Sequence, residues 1–200
     1  MTGLAGGGLV PLALVTAYVW IVIWIIAESQ FLRFTRKAGA PPPTASGEDR
    51  GSVFVVVISL WVAMGATFGF YFVGITQLSL GWVIVLGSLV VGSGIFVRGW
   101  ALITLGRFFS LLVRTTVDQQ LITKGPYRWI RHPAYTGNLL IAVGVSLILG
   151  TLLGILVTSI VVLAGHLYRI RVEEEALRRR FSREYEEYIR RTWRLIPGLF

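Results

Sequence analysis

GSVFVVVISLWVAMGATFGFYFVGITQLSLGWVIVLGSLVVGSGIFV, residues 51–97, is a run of 47 positions without one Asp, Glu, Lys or Arg. An α-helix rises 1.5 Å per residue, so about 20 residues cross roughly 30 Å of hydrocarbon. The run is long enough for two crossings. Its outer turn is expected in VGITQLSLG, residues 73–81, where Thr76, Gln77 and Ser79 offer hydrogen-bonding groups to water.

The same reading extends to the rest of the chain. Residues 1–27 carry no charge, and the stretch is too long and lacks the basic start of a cleavable signal peptide, so it reads as a retained first span. Charges then gather in 28–50 around AGAPPPTASGED, where Pro, Gly and Ser interrupt helix, and a cytoplasmic loop is expected there. Residues 133–168 again contain no Asp, Glu, Lys or Arg, and read as a hairpin of two short helices turning near Leu149, Gly150 and Thr151. The fold class is therefore an all-α integral membrane protein of about five transmembrane helices, three amino-terminal spans plus a carboxyl-terminal hairpin. Two parts follow: spans in 1–97 with the loop at 28–50, and a functional half in 98–200.

Composition agrees with this. Charged residues make up 14% of the chain, well below the roughly 25% of soluble domains, while 54% are hydrophobic. All nineteen Lys and Arg fall in 33–50, 98–131 and 169–194, which five crossings place on one face of the membrane. Basic residues favour the cytoplasmic side, so the amino terminus is expected outside and the carboxyl terminus inside. The net charge of +9 does not indicate nucleic acid, because the charges are confined to membrane-flanking segments rather than spread over a polar surface. With no cysteine, thiolate chemistry and Cys-based metal sites are excluded. His166 sits in an apolar span with no second ligand at metal spacing, so it reads as a hydrogen-bonded core residue and no metal is expected.

Two charged segments remain. The first ends in GPYRWIRHPAYTGNLL, residues 125–140, preceded by the turn-rich TTVDQQLITK. Pro133 suits the first position of a helix, where its missing N–H costs nothing, and it pushes His132 out of helical conformation. Arg131, His132 and the N–H groups of Ala134 and Tyr135 would then crowd a positive helix start suited to an anion. The same residues also suit a basic stop at the membrane boundary, with Tyr127, Trp129 and Tyr135 in the aromatic belt. The segment alone leaves both open.

The second, 168–200, carries Arg169 and Glu173 four residues apart on one helix face, with Leu177, Phe181, Tyr185 and Tyr188 continuing it. Arg179, Arg183, Glu186 and Arg190 fall opposite, which makes the segment an amphipathic helix able to lie on anionic lipid.

GPYRWIRHPAYTG resembles the Gly-x-Tyr…Arg-His-Pro-x-Tyr-x-Gly signature of the isoprenylcysteine carboxyl methyltransferase family. RIRVEEEALRRRFSREYEEYIRRTWRLIP is similar to that family's Arg-x-x-x-Glu-Glu…Leu-x-x-x-Phe-Gly-x-x-Tyr-x-x-Tyr ending, and LGRFFS at 105–110 also fits. The resemblance covers roughly the carboxyl-terminal half. It implies an integral membrane methyltransferase that uses S-adenosyl-L-methionine, releases S-adenosyl-L-homocysteine, has its cofactor pocket on the cytoplasmic side and takes a lipidic or prenylated acceptor from the bilayer. By position it implies cofactor contacts from Gln119, Gln120, Leu121, Ile122, Tyr127, His132, Pro133, Ala134, Tyr135 and Glu173, with Arg169 orienting the acceptor carboxylate. The cofactor's carboxylate suits the helix start at Pro133, and its ammonium suits Glu173. Gln119 stands where the family often has His, which puts that contact in doubt. Ser182 stands where it often has Gly, with an altered helix bend expected.

Competing readings are an NADPH-dependent reductase of sterol or other polyprenoid double bonds, which shares a similar Arg/Asn-His-Pro-x-Tyr element, a phospholipid N-methyltransferase, and a non-catalytic lipid-binding protein. The Arg-x-x-x-Glu-Glu pattern that begins at Arg169 favours the methyltransferase over the reductase. An amine acceptor would need a base that the sequence does not reveal.

Overall fold

A computed structural model describes residues 6–37, 49–75, 78, 81–111 and 120–198. Five α-helices follow in order: α1 Gly6–Lys37, α2 Ser52–Val73, α3 Gly81–Leu105, α4 Pro133–Ile148 and α5 Leu152–Arg191. Short 3-10 turns at Gly106–Phe108 and Gly125–Arg128 lie between α3 and α4. Among the described residues α1, α2, α3 and α5 are long and apolar enough to cross a membrane, and α4 is a shorter apolar helix. The protein is an all-helical, multi-pass integral membrane protein.

Two boundaries differ from expectation. The expected loop at 28–50 begins as helix, because α1 runs on to Lys37. Nothing in ESQFLRFTRK breaks a helix, and Arg33 and Lys37 lie in its last turns, where the helix dipole favours cations. The expected pair of short helices is asymmetric: α4 has 16 residues and α5 has 40. No Gly or Pro interrupts the chain as α5 passes from its apolar part, which ends at Tyr168, into the charged part. The turn itself falls at Leu149, Gly150 and Thr151, with Gly150 at φ +66°. A side chain there would also meet the Leu78 carbonyl at 2.5 Å. Thr76, Gln77 and Ser79 of the expected outer turn lie outside the described residues.

The short α4 is the inner helix, with ten of its sixteen residues buried. It crosses α3 through small residues: a Cβ on Gly137 would lie 2.7 Å from the Gly94 carbonyl oxygen and from Arg98 Cβ. Close backbone approach of this kind is how membrane helices gain packing without a hydrophobic driving force. Thr67, Ser146 and Thr158 join α2, α4 and α5 through hydroxyl contacts of 2.9 to 3.1 Å. At the other end, Arg98 of α3 donates to both carboxylate oxygens of Glu28 on α1, at 2.6 and 2.5 Å, and to the Ala134 carbonyl at 3.2 Å. That pair fixes the start of α4.

Helix α5 breaks at Ser182, whose φ of 43° and ψ of −113° are not helical. The chain then turns back, as Arg131 demonstrates. Its guanidinium donates to Glu174 Oε1 at 3.2 Å and to the Ile189 carbonyl at 3.2 Å, and also to the Thr192 carbonyl. In a straight helix residues 174 and 189 would stand about 22 Å apart, beyond the reach of one side chain. The expected departure at Ser182 is thus larger than an altered bend. The face from Leu177 to Tyr188 is interrupted there, and Tyr185 and Tyr188 are brought inward.

Candidate active site

The returning end of α5 meets the segment before α4. Ile130 and Trp193 pair in parallel: Arg131 N–H donates to the Trp193 carbonyl at 2.8 Å, Trp193 N–H to that of Trp129 at 2.8 Å, and His132 N–H to that of Arg194 at 3.2 Å. Pro133 opens α4 at its first position, as expected, and His132 is non-helical at φ −126°, ψ 57°. The anion cradle expected at this helix start is mostly spoken for. Tyr135 N–H donates to the His132 carbonyl at 3.1 Å, and the Arg131 and His132 amides serve the tail. Arg131 itself binds the carbonyls that end α5. Pro133 is buried off the cleft wall and sets geometry rather than surface.

What these elements enclose is a partly open cleft. Gln120, Leu121 and Ile122 form one wall, Tyr127, His132, Ala134 and Tyr135 another, and Arg169 and Glu173 of α5 a third. Nine of the eleven residues singled out in the sequence therefore face one space. Of the other two, Gln119 lies outside the described residues and Pro133 stands behind the wall. Leu105, Phe108, Phe109 and Ser110, from the LGRFFS segment, close the apolar end.

Arg169 and Glu173 do not touch directly. The Arg169 Nε donates to the Tyr135 hydroxyl at 3.2 Å, and that hydroxyl donates to Glu173 Oε2 at 2.7 Å. A phenol from α4 thus bridges the pair expected to meet across one turn of α5. The rest of the guanidinium is engaged: Nη1 with Asp49 and with Ser52 Oγ at 2.7 Å, Nη2 with the Leu111 carbonyl at 2.7 Å. Asp49 also accepts from Ser52 Oγ at 3.1 Å and Val53 N–H at 3.2 Å, so it ties the start of α2 to α5. Arg169 and Asp49 are each 5% exposed.

The doublet Glu173-Glu174 divides its work. The Glu173 side chain is 34% exposed and faces the cleft, whereas Glu174 is buried at 2%. Glu174 accepts from Arg131, from His132 Nε2 at 3.2 Å and from Arg194 Nη2 at 3.1 Å. Burial works against its charge, but the bonds from His132 and Arg194 prevail and hold the carboxyl down at about 2. His166 is buried, and its Nδ1 lies 2.8 Å from the Val162 carbonyl, as a core histidine would.

Four participants escaped the sequence reading: Asp49, Glu174, Tyr185 and Tyr188. Glu174 was visible only as half of a doublet, and the two tyrosines only as part of an amphipathic face. Nothing marked Asp49 apart from its place just before an apolar run.

Residues 82–184, about half of the chain, match the model of the phospholipid methyltransferase family. The chain belongs to that family. Proteins to which it is similar include several named protein-S-isoprenylcysteine O-methyltransferase. A probable protein-S-isoprenylcysteine O-methyltransferase of Oryza sativa is 38% identical over 113 residues, covering 56% of this chain and 59% of the relative. The protein-S-isoprenylcysteine O-methyltransferase of Saccharomyces cerevisiae is 41% identical over 106 residues, covering 52% and 44%. That of Dictyostelium discoideum is 26% identical but spans 98% of this chain and 79% of its own. The chain thus spans about half of the length of the first two. Among solved structures, the eukaryotic intramembrane Ras methyltransferase, isoprenylcysteine carboxyl methyltransferase, superposes with a TM-score of 0.61 at 28% identity, over 69% of this chain and 52% of that one.

Proposed function

We propose that this family member is an S-adenosylmethionine-dependent methyltransferase acting on a membrane-embedded lipidic acceptor, the carboxylate of a prenylated cysteine. The observation that carries the reading is the relay in one cleft: Glu173, the Tyr135 hydroxyl and the Arg169 guanidinium, linked by bonds of 2.7 and 3.2 Å. A cation-binding carboxylate and a carboxylate-binding guanidinium stand side by side, as a donor with an ammonium and an acceptor with a carboxylate require.

The residues present fit the cofactor. Glu173 presents a part-exposed carboxylate to the cleft, and Tyr185, which also lines it, carries a buried hydroxyl with no hydrogen-bond partner among the described residues. When bound, S-adenosylmethionine supplies an electrophilic methyl on a sulfonium. An acceptor carboxylate, with a reference pKa near ~4, is ionised at neutral pH. One of its oxygens would take that methyl with the S–C electron pair left on sulfur, so the protein would have no proton to move. No general base is needed. The protein's contribution is positioning, which can supply on the order of 7 to 11 kcal/mol. In this reading Glu173 holds the donor's ammonium, and Gln119, Gln120, Leu121, Ile122, Tyr127, His132 and Ala134 surround the donor with Pro133 supporting. Tyr135 fixes the distance between the two ligands, and Arg169 orients the acceptor. Residues 98–200 are the catalytic half and 1–97 the membrane anchor, with the amino terminus outside and the cleft and carboxyl terminus cytoplasmic.

A second reading has one observation in its favour. Arg169 already holds the carboxylate of Asp49, which leaves little of the guanidinium fork for another, and a phospholipid amine would not compete for it. One experiment separates them. Detergent-purified protein with methyl-labelled S-adenosylmethionine is offered a farnesylated N-acetylcysteine or phosphatidylethanolamine. Base-labile label in the cysteine ester is expected. Label in the phospholipid alone would replace the first reading with the second, and binding of NADPH without binding of S-adenosylhomocysteine would end both.

A further inference from the structure

Four buried side-chain polar atoms have no hydrogen-bond partner among the described residues: Trp24 Nε1, Asn138 Oδ1, Thr151 Oγ1 and Tyr185 OH. Only Tyr185 lines the cleft. Its ring is wholly buried and packs on Tyr188 at 6.0 Å between centroids. The contrast with Tyr188 is informative, because the Tyr188 hydroxyl donates to the Tyr127 carbonyl at 2.7 Å. One tyrosine of the returning segment is a brace. The other lines the cleft and keeps a buried hydroxyl without a partner among the described residues.

An unsatisfied buried donor is costly, and a protein keeps one where something else completes it. Burial, then the carboxylates of Glu174 and Glu173, holds this phenol far above its ordinary pKa, so it carries its proton at any working pH. What it lacks is an acceptor. An amino-acid headgroup bears its ammonium and its carboxylate on one carbon, so a ligand whose ammonium meets Glu173 brings a carboxylate into the same neighbourhood. The helix-start amides expected to receive that carboxylate are largely occupied, which leaves it short of donors.

Resting on the reading of the cleft as a methyl-donor site, we infer that the Tyr185 hydroxyl contacts the bound donor and hydrogen-bonds its α-carboxylate. The break at Ser182 is what delivers it there.

The test is Tyr185→Phe in the full chain, read by calorimetry with S-adenosylhomocysteine and with its analogue lacking the carboxylate, alongside thermal unfolding without ligand. The variant is expected to bind S-adenosylhomocysteine about five- to twentyfold more weakly, the loss of one hydrogen bond to a charged group. It should bind the analogue within about twofold of the unsubstituted protein, the range of a lost contact the analogue never made. Ligand-free melting should not fall. Tyr188→Phe should show the reverse, a lower melting temperature with the preference between the two ligands kept. Unchanged affinity in Tyr185→Phe, equal losses for both ligands, or a fall in ligand-free melting would each overturn the assignment. Failure of the unsubstituted protein to bind S-adenosylhomocysteine would overturn the donor-site reading itself, and this assignment with it.

Discussion

Arg169 on α5 and Asp49 before α2, 120 residues apart in sequence, form a buried ion pair at the back of the cleft. Removing one member leaves the other charge buried and uncompensated, which costs about 3 to 5 kcal/mol. Asp49→Ala is therefore expected to lower the melting temperature strongly in detergent. The neighbouring Arg50–Glu175 pair is half exposed on both sides, and Arg50→Ala should cost under about 1 kcal/mol. Equal losses in the two variants would show that the buried pair is not what fastens α2 to α5.

Tyr135 joins Arg169 to Glu173 without being either. Tyr135→Phe keeps the ring and deletes the bridge, so binding of each ligand should survive while their alignment loosens. A fall in kcat of about ten- to hundredfold is expected, with both dissociation constants nearly unchanged. A change confined to binding would move Tyr135 from alignment to recognition.

The two ends of that bridge should separate kinetically. Glu173→Ala is expected to weaken S-adenosylhomocysteine binding about ten- to hundredfold, the loss of a charge-assisted hydrogen bond. Arg169→Lys retains a charge for Asp49 but not the planar fork, so it should depress transfer far more than donor affinity. Comparable loss of donor affinity in both variants would contradict the division of roles.

Acid should act through Glu174. Its carboxyl is held at about 2 in the folded protein, below its unfolded value, so it adds stability at neutral pH. That stability is present above the ordinary carboxylate pKa and fades as pH falls toward the folded value. Thermal unfolding of Glu174→Gln and the unsubstituted protein should differ most near neutrality, the gap narrowing as pH drops to about 3. A gap that widens in acid would mean that another group governs.

Ser182 holds a left-handed φ of 43° that an L side chain rarely adopts. Ser182→Gly should stabilise the fold by roughly 1 kcal/mol, seen as a higher melting temperature, and Ser182→Val should destabilise it. A glycine variant that melts lower would mean that the Ser182 hydroxyl outweighs the backbone cost.

The membrane architecture was legible because insertion penalties are local. An uncharged run of given length and the positions of nineteen basic residues are readable without knowing what packs on what. The hairpin turn at Gly150 was legible for the same reason. The division of Glu173 from Glu174 was not, because one residue step rotates a helical side chain by about 100°, and which of two adjacent carboxylates faces the cleft depends on where Arg131, His132 and Arg194 arrive. Asp49 was hidden by sequence distance. At Ser182 a bend was legible but its size was not, because the serine sits in a sequence otherwise rich in helix formers and the tail docks on residues 129–132, far away in sequence.

The brevity of α4 matters to the lipid as well. Its sixteen residues rise about 24 Å, roughly 6 Å less than the apolar slab around it. With ten of those residues buried by neighbouring helices, non-helical backbone beyond its ends can be sheltered by protein rather than exposed to lipid.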